Sequence, residues 1–429
     1  MSAHSRRHFL KLSLATAASS IIHAPLIHAT ISKHVVIIGG GIGGSTAARY
    51  LRKMDSSIKV TLIEPKSHYT TCFMSNEFLA GLRSFKSLEF SYHKLAEQGI
   101  SIIHDYVVAI DADKQSITRS SGDTIHYDRC IVSPGIDFKW NAIEGYDETT
   151  AKDIPHAYQA GQQTLTLKKQ LDAMRNGGTV IIAPPANPFR CPPAPYERAS
   201  QIAHYLKMHK PKSKIIILDD KEEFSKQKLF EAGWKRHYGY GTNHSIIEWI
   251  SVAQGGHVES INAKSHIVSA QADDFKADVI NIIPPQQAGK LAFTAGLTDQ
   301  SGWCPVDHKT FESTIHKNIH VIGDSSISSP LPKSGYAANS EAKVCAAAII
   351  SLFNGDRPLA PSLINTCYSL LAPNDAISVA MVYGYKNDKI IKMDGAGGLT
   401  PNDTSDHMRQ READYAHSWF NNITHDIFG

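Results

Sequence analysis

The most constraining feature of this sequence is a glycine-rich turn that directly follows a short apolar segment. Residues 34–38 (His-Val-Val-Ile-Ile) are typical of a buried strand, and residues 45–54 predict a helix. Between them, Gly39, Gly41 and Gly44 have the spacing GxGxxG. A strand, a glycine turn and a helix in this order predict the first βαβ unit of a dinucleotide-binding fold, because such a turn lets the backbone approach a pyrophosphate.

An acidic residue at the end of the next predicted strand supports this interpretation. Residues 59–64 predict that strand, and Glu64 comes about 20 residues after Gly44, where a carboxylate hydrogen-bonds a ribose hydroxyl. A lone glycine motif is weak evidence. The complete order of strand, turn, helix, strand and acid indicates a dinucleotide site.

A second βαβ pattern lacks the glycines. Residues 179–183, 197–208 and 214–218 predict a strand, a helix and a strand, but the loop at residues 184–195 has six prolines and no glycine. Proline has no N–H to offer a phosphate and fixes its own φ. We therefore expect no NAD(P)H site here, and the loop instead presents the thiol of Cys191.

Other segments complete the predicted architecture. Strands are expected at residues 100–104, 124–127 and 128–132, and another at 318–322 runs into Gly323 and Asp324. In flavoproteins with two dinucleotide-binding domains, similar segments close the FAD domain, and the Gly-Asp pair contacts the ribityl and phosphate region of the flavin.

We therefore predict an α/β fold with two Rossmann-like domains, similar to that of glutathione reductase, and a smaller C-terminal α+β interface domain. The FAD domain is expected to be discontinuous, at residues 31–145 and 286–355, with the second Rossmann-like domain at 146–285. In the last domain, residues 356–429, we expect strands at 364–370 and 379–385, a loop at 395–406 and a short helix at 412–422.

Residues 1–29 predict a targeting segment. Ser-Arg-Arg-His-Phe-Leu-Lys at residues 5–11, followed by an apolar run, is typical of the bacterial twin-arginine signal. This predicts export of a folded, cofactor-bearing protein to the periplasm. A membrane anchor is the alternative, but the apolar run is short for a span, and no later segment has the roughly 18 apolar residues that a spanning helix needs.

Composition narrows the function further. A chain of 429 residues with 42% hydrophobic and 20% charged residues is ordinary for a globular enzyme, and a net charge of +3 does not favour nucleic acid as a partner. The six cysteines include no CxxCH haem motif, and the histidines show no zinc-ligand spacing, so we expect no metal site. Cys130 and Cys345 are interpreted as packing residues, and Cys304 has no assigned role.

Three segments together resemble one family, the flavoprotein subunit of flavocytochrome c sulfide dehydrogenase. They are residues 69–77 (Tyr-Thr-Thr-Cys-Phe-Met-Ser-Asn-Glu), 189–200 with Phe-Arg-Cys-Pro-Pro and Tyr-Glu-Arg-Ala-Ser, and 332–336 (Pro-Lys-Ser-Gly-Tyr). Residues 365–369 and 419–423 also fit. The resemblance extends from the export signal to the C-terminus.

This resemblance implies a covalently bound FAD. In the family, the cysteine of the first segment, here Cys72, forms a thioether to the 8α carbon of the flavin; without the family, a small buried hydrophobic residue is the better interpretation. Lys333, Tyr336 and Trp419 are then expected among the cofactor-binding residues. Tyr336 and Trp419 lie between flavin and haem in the family's arrangement, with ordinary interface packing as the alternative.

The resemblance also implies a redox-active disulfide between Cys191 and Cys367. For Cys191 the residues give an independent argument, because a thiol at a helix start beside Arg190 and Arg198 is expected to have a lowered pKa. Cys367 rests on the resemblance alone. Glu197 is a candidate for proton handling, and the alternative is a solvated glutamate in the first turn of the helix.

The function implied is oxidation of hydrogen sulfide. Hydrosulfide would attack one sulfur of the disulfide, giving a persulfide and a thiolate that reduces the flavin, and further sulfide would release zero-valent sulfur or polysulfide. Because this chain has no haem motif, a c-type cytochrome subunit is the expected partner and electron acceptor.

Two other functions are weighed against this one. A sulfide:quinone oxidoreductase shares the flavin plan and the cysteine chemistry, but it needs an apolar or amphipathic membrane surface that the polar C-terminal region does not indicate. A non-catalytic flavin-bearing subunit that docks a cytochrome is the second alternative.

Overall fold

The first large element of the fold is a five-stranded parallel sheet, whose central strand leads into the glycine turn predicted above. The computed structural model describes residues 33–429, and the predicted export signal at residues 1–29 lies outside them. The strands of this sheet are, in spatial order, Ile319–Val321, Arg129–Val132, His34–Ile38, Lys59–Ile63 and Ser101–Ile103. Most residues of its strands are apolar because a parallel sheet is covered on both faces; Val35, Val36 and Ile37 are fully buried.

The helix that follows the glycine turn, Ile42–Met54, packs against the long helix Gly335–Phe353 on one face of this sheet. Gly44 explains how closely this helix approaches its strand, since a Cβ at that position would lie 1.9 Å from the carbonyl oxygen of Gly39. The third glycine of the motif is therefore required for packing.

A second parallel sheet has four strands, in the order Ile247–Ile250, Lys214–Leu218, Thr179–Ala183 and Val279–Ile282. Three helices accompany this sheet: Gln162–Ala173, Ala194–His209 and Gln227–Tyr238. The two parallel sheets confirm the predicted α/β class with two Rossmann-like units. The domain boundaries given above stay predictions.

The C-terminal region adds an antiparallel sheet of three strands, Leu363–Ala372, Asp375–Lys386 and Lys389–Leu399, followed by the helix Asp406–Phe428. The first of these strands contacts both the helix Ala194–His209 of the second unit and the helix Gly335–Phe353 of the first. The strand that contains Cys367 is thereby placed next to the Pro-rich loop.

Short elements complete the description. The small antiparallel pairs and sheets are His68–Thr70 with Glu89–Ser91; Val107–Asp111, Ser116–Arg119 and Thr124–His126; Ile136–Phe138 with Gln286–Ala288; and Val258–Asn262, Ile267–Ala270 and Asp274–Lys276. Cys304–Pro305 pairs with Ser326–Ile327 in parallel. The short helices are Ser75–Leu79, His93–Glu97 and Lys290–Thr294, and single 3₁₀ turns lie at Phe85–Leu88, Thr150–Lys152, Val252–Gln254 and Gly323–Ser325.

Within residues 33–429, no helix has both the length and the apolar character needed to cross a membrane.

Two predictions for the C-terminal region are wrong in part. The loop expected at residues 395–406 begins only after Leu399, because Gly397 and Gly398 pair with Met381 and Ala380 of the neighbouring strand. The helix expected at 412–422 extends over Asp406–Phe428. In both places contacts distant in sequence override a local composition that favours turns.

Candidate functional site

A cavity of about 360 Å³ lies where the glycine turn, the segment around Cys72, the Pro-rich loop and the C-terminal sheet meet. All the predicted site residues except Gly44 and Lys333 line it: Gly39, Gly41, Glu64, Cys72, Cys191, Glu197, Gly323, Asp324, Tyr336, Cys367 and Trp419. Lys333 lies beside the wall, where its ammonium donates to the carbonyl oxygens of Asp324 and Ser326 at 2.7 and 2.9 Å. Residues far apart in sequence are thus brought to one site.

The glycine turn forms one end of the cavity. Gly39 has φ 99°, and a Cβ there would lie 2.3 Å from the carbonyl oxygen of Ser133. On Gly41, by contrast, an added Cβ would meet only Tyr69, at 3.7 Å, so its surface faces open space. The amide of Gly40 donates to Glu64 Oε2 at 2.8 Å, which holds the acid at the edge of the turn.

The residues present fit a dinucleotide. The helix Ile42–Met54 begins at this end of the cavity, where its unpaired N–H groups favour an anion. At Asp324, Oδ1 is buried and has no hydrogen-bond partner among the described residues, although the carboxyl group lines the cavity. An unsatisfied buried acceptor is costly, so a donor from a bound cofactor, such as a ribityl hydroxyl, matches this position.

Cys72 lies between the strand His68–Thr70 and the helix Ser75–Leu79, and a guanidinium group faces its sulfur. Arg190 Nη2 is 3.6 Å from Cys72 Sγ, and Arg190 Nη1 is 3.9 Å from Asp324 Oδ2. The guanidinium places a positive charge beside the predicted attachment point. Arg190 thus connects the predicted attachment point to the predicted flavin contact.

Cys191 lies at the end of the Pro-rich loop, three residues before the helix Ala194–His209. Its φ of 51° is in the left-handed region, which is uncommon for a residue other than glycine. Its N–H donates to the carbonyl oxygen of Lys333 at 2.8 Å, and its own carbonyl accepts from Ala194 N at 2.9 Å. The backbone is therefore held in a strained conformation that presents the thiol to the cavity.

Cys367 reaches the same cavity from the strand Leu363–Ala372. Its sulfur is 3.7 Å from the side-chain amide of Asn365, and the Ser334 hydroxyl donates to Asn365 Oδ1 at 2.6 Å. That second bond fixes the amide, whose Nδ2 and Oδ1 both lie 3.7 Å from the sulfur. The structure describes Cys191 and Cys367 as free thiols. Cys367 is close enough to raise the pKa of the Cys191 thiol, and both thiols raise the pKa of Lys226.

The expectation of a lowered pKa at Cys191 is wrong. Burial raises the pKa of the Cys191 thiol, and the nearby Cys367 and Glu197 add to this effect. Lys226 and Arg190 lower it, but by less than burial raises it. The sequence shows the positive charges near the thiol but not the cost of removing a thiolate from water.

Glu197 also differs from the solvated alternative. Its carboxylate lines the cavity and accepts from the N–H of Leu370 at 3.3 Å. Burial raises its pKa to about 7, and Glu77 contributes in the same direction. A carboxyl group with this pKa can exchange a proton near neutral pH.

Sequence reasoning missed Lys226, whose buried ammonium lowers the pKa of both thiols and so opposes the effect of burial. It lies in the segment Lys-Glu-Glu-Phe-Ser-Lys-Gln-Lys at residues 221–228, which has the composition of a solvated surface. Arg198, which donates to Asn76, Asn281 and the carbonyls of His156 and Ala157, anchors the cavity wall and was considered only as a charge near Cys191. No local signal distinguishes either residue from an exposed cation.

The end of the second parallel sheet is filled by protein side chains. Asp219, in the place of a ribose-binding acid, is fully buried and accepts from Tyr196 Oη at 2.5 Å and Trp249 Nε1 at 2.9 Å. Lys221 forms an ion pair with Asp219 and donates to the carbonyl of Pro185 at 2.9 Å. The acid is thus engaged within the protein.

Fold and site together define a flavoprotein oxidoreductase with two dinucleotide-binding units. Residues 33–182 match the pyridine nucleotide-disulphide oxidoreductase family. Residues 164–284 match the central domain of the sulfide dehydrogenase [flavocytochrome c] flavoprotein chain, and residues 359–428 match the flavin-binding domain of flavocytochrome c sulphide dehydrogenase.

Individual proteins agree. The sulfide dehydrogenase [flavocytochrome c] flavoprotein chain of Chlorobaculum thiosulfatiphilum is 58% identical over 45 residues, which cover 10% of this chain and 94% of that sequence. This chain belongs to the family of flavoprotein chains of flavocytochrome c sulfide dehydrogenase. The mitochondrial sulfide:quinone oxidoreductase of Dictyostelium discoideum is 23% identical over 326 residues, 74% of this chain and 70% of the relative.

The fold recurs in solved structures. The X-ray structure of the sulfide:quinone oxidoreductase of Aquifex aeolicus has a TM-score of 0.69 and 18% identity, over 92% of each chain. Putidaredoxin reductase, in its covalent complex with putidaredoxin, has a TM-score of 0.65 and 15% identity, over 89% of this chain and 93% of that one. At these identities the likeness concerns the fold.

Proposed function

We propose that this protein oxidises hydrogen sulfide to zero-valent sulfur or polysulfide and passes the electrons to a c-type cytochrome. One observation carries the proposal: Cys72, Cys191 and Cys367, from three separate parts of the chain, line one cavity that fits a dinucleotide. One thiol is available to tether a flavin, and two are available for disulfide exchange with sulfide.

Gly39, Gly41, Glu64 and Asp324 would hold FAD in this cavity, and Cys72 would bind it covalently. When bound, the flavin accepts an electron pair and can release electrons singly to a haem. Arg190 supports attachment because its guanidinium faces the Cys72 sulfur and places a positive charge beside it. Covalent attachment would retain the cofactor outside the cytoplasm.

The disulfide Cys191–Cys367 would receive the substrate. Hydrosulfide attacks one sulfur and forms a persulfide, the bond between the two cysteines breaks, and the other cysteine leaves as a thiolate. Glu197, whose pKa is raised to about 7 by burial, accepts the proton that the attacking sulfur loses. A second hydrosulfide then attacks the outer sulfur of the persulfide, the bond from that sulfur to the cysteine breaks, and a disulfane leaves while both cysteines are left as thiols.

The absence of glycine from residues 184–195 and the internal engagement of Asp219 support sulfide, rather than a nicotinamide, as the electron donor. Two aromatic residues, Tyr336 and Trp419, support a path for electrons toward the acceptor. Their rings stack with centroids 6.1 Å apart, and both line the FAD cavity and a second cleft of about 390 Å³.

A sulfide:quinone oxidoreductase is the second candidate, favoured by the similarity to such enzymes over most of the chain. The two candidate functions differ in the electron acceptor, which is a c-type cytochrome in the first and a quinone in the second. Expression with its cytochrome should yield a complex with a haem absorbance band that reduces cytochrome c with sulfide. Turnover with a soluble quinone and none with cytochrome would favour the alternative.

The central test is Cys191→Ser. Loss of sulfide-dependent cytochrome reduction by about 10³-fold or more is expected, because the serine oxygen cannot form the disulfide. Cys345→Ala, a change in a buried thiol of the helix Gly335–Phe353, is the matched control and should retain turnover. Near-normal turnover of Cys191→Ser would refute the mechanism.

The location is tested separately. We propose that residues 1–29 direct the folded protein to the periplasm, on the evidence of the twin arginines Arg6 and Arg7. Replacing both with lysine should leave the flavoprotein in the cytoplasm of a bacterial host, as followed by fractionation and flavin fluorescence. Unchanged periplasmic yield would contradict this assignment.

A further inference from the structure

A buried lysine faces the thiol pair and has no role in the chemistry described so far. Lys226 directly precedes the helix Gln227–Tyr238, has φ 61° and is only 8% exposed. Its ammonium donates to the hydroxyl of Ser369 at 2.8 Å. Within residues 33–429 it forms no ion pair with a carboxylate, so this charge is buried with one neutral hydrogen-bond partner.

Ser369 locates the ammonium relative to Cys367. The two residues are two positions apart on the strand Leu363–Ala372, and side chains with this spacing lie on the same face of a strand. The Lys226 ammonium therefore lies next to the face that presents Cys367. Burial lowers the pKa of Lys226, and the thiols of Cys367 and Cys191 both oppose this by raising it, with Cys367 the stronger of the two.

A buried ammonium needs a counter-charge. The groups that face it from the surrounding elements are Glu197 on the helix Ala194–His209, Glu412 on the C-terminal helix and the two thiols. The raised pKa of Glu197 leaves that carboxyl group partly protonated near neutral pH. Glu412 has the weakest influence of the four on the pKa of Lys226, and its carboxylate accepts from the hydroxyls of Ser378 and Thr400 at 3.2 and 2.6 Å. A thiolate at one of the two cysteines is therefore the main counter-charge left for the ammonium.

The surroundings of the two sulfurs favour Cys367 as that thiolate. The Cys367 sulfur lies 3.7 Å from both Nδ2 and Oδ1 of Asn365. Burial raises the pKa of the Cys367 thiol, and Lys226 is the largest influence that opposes this rise. No hydrogen bond to the Cys191 sulfur is formed within the described part of the chain. Cys367 and Glu197 both raise the pKa of Cys191, in addition to burial.

We propose that Lys226 stabilises the thiolate of Cys367 and thereby directs hydrosulfide to the sulfur of Cys191. This inference rests on the disulfide mechanism proposed above. The incoming sulfur forms a bond to Cys191 Sγ, and the bond between Cys191 and Cys367 breaks. Cys367 leaves with the electron pair, and the proton of the new persulfide passes to Glu197. No oxidant is consumed in this step.

The direction of attack can be read from the wild-type complex alone. The oxidised complex is mixed with sulfide, quenched within milliseconds by an alkylating reagent, digested and analysed by mass spectrometry. We expect the additional sulfur on Cys191 and the alkyl group on Cys367. A persulfide on Cys367 would overturn the inference while leaving the disulfide mechanism intact, whereas no persulfide on either cysteine and no flavin bleaching would refute the proposed function itself.

Variants test the part played by the charge. Lys226→Gln keeps a donor near Ser369 and removes the charge, so disulfide opening by sulfide should slow by about tenfold or more. In the reduced protein, alkylation of Cys367 should shift to higher pH. Lys226→Arg should retain most of the rate, and Ser369→Ala, which releases the ammonium, should cause a smaller shift in the same direction.

The matched control is Lys210→Gln. Lys210 is also 8% exposed, but its ammonium donates to the backbone carbonyls of Asp172 and Met174, and it is not among the main influences on the pKa of either thiol. Its variant should leave the opening rate and the alkylation profile of Cys367 unchanged. An alkylation profile of Cys367 that is the same in Lys226→Gln and wild type would overturn the proposal.

Discussion

Replacing Glu197 with glutamine should stabilise this protein at alkaline pH. Burial raises the pKa of this carboxyl group from 4.5 to about 7. Below pH 4.5 the group is protonated in the folded and the unfolded chain and does not affect stability. As the pH rises toward 7 the unfolded chain loses its proton first, so the free energy of unfolding falls, and above pH 7 the full loss is present.

The magnitude follows from the size of the shift. Each pKa unit corresponds to about 1.4 kcal/mol, so the ionised carboxylate destabilises the fold by roughly 3.5 kcal/mol at pH 8.5 and about 1 kcal/mol at pH 5. Glutamine cannot ionise, and its side-chain oxygen can still accept the N–H of Leu370. The variant should therefore exceed wild type in the free energy of unfolding by about 2.5 kcal/mol more at pH 8.5 than at pH 5.

Denaturant unfolding of the flavin-loaded protein, followed by tryptophan fluorescence at the two pH values, measures this difference. Glu77→Gln is the matched control of opposite sign. His417 and Arg83 lower the pKa of Glu77 despite its burial, so its carboxylate stabilises the fold at neutral pH, and this stability is lost as the pH falls. A gain for Glu197→Gln that is equal at both pH values, or larger at pH 5, would refute the reasoning.

Two further substitutions test the cofactor site. Arg190→Met should lower the fraction of flavin that stays attached after denaturation, as read by flavin fluorescence in a denaturing gel, because the Cys72 sulfur loses the cation 3.6 Å away; Arg190→Lys should retain part of it, and full attachment in Arg190→Met would contradict this role. Gly44→Ala should destabilise the protein by about 3 kcal/mol or more, since the new Cβ would lie 1.9 Å from Gly39 O. Gly398→Ala, which meets nothing within 4 Å, is the control and should change the free energy of unfolding by less than about 0.5 kcal/mol.

Local patterns were sufficient for the parallel sheets. The predicted strands at residues 34–38, 179–183 and 214–218 have the bounds found in the structure, because each is, after its first residue, a continuous apolar run that is buried on both faces. The C-terminal sheet was harder. Gly397 and Gly398 look like turn residues, yet they belong to a strand because Met381 and Ala380 of its neighbour pair with them.

The residues of the site likewise fall into those that a local pattern predicts and those that it does not. Residues that belong to a motif, such as Gly39 and Glu64, could be predicted from spacing. Lys226 could not, because its hydrogen-bond partner, Ser369, lies 143 positions further along the chain. The pKa of Cys191 was predicted with the wrong sign for a related reason, since charges are visible in a sequence and the loss of water around a thiol is not.

The Pro-rich loop shows how a nucleotide-binding position can be converted into a thiol site. A phosphate-binding loop needs free N–H groups, and prolines remove several of them from residues 184–195. Two that remain are used within the protein: the N–H of Arg190 donates to Gln286 Oε1 and that of Cys191 to the carbonyl of Lys333, both at 2.8 Å. These two bonds attach the loop to Gln286 and Lys333. Backbone N–H groups that a phosphate-binding loop would offer to a nucleotide thus hold the Cys191 thiol beside the flavin cavity.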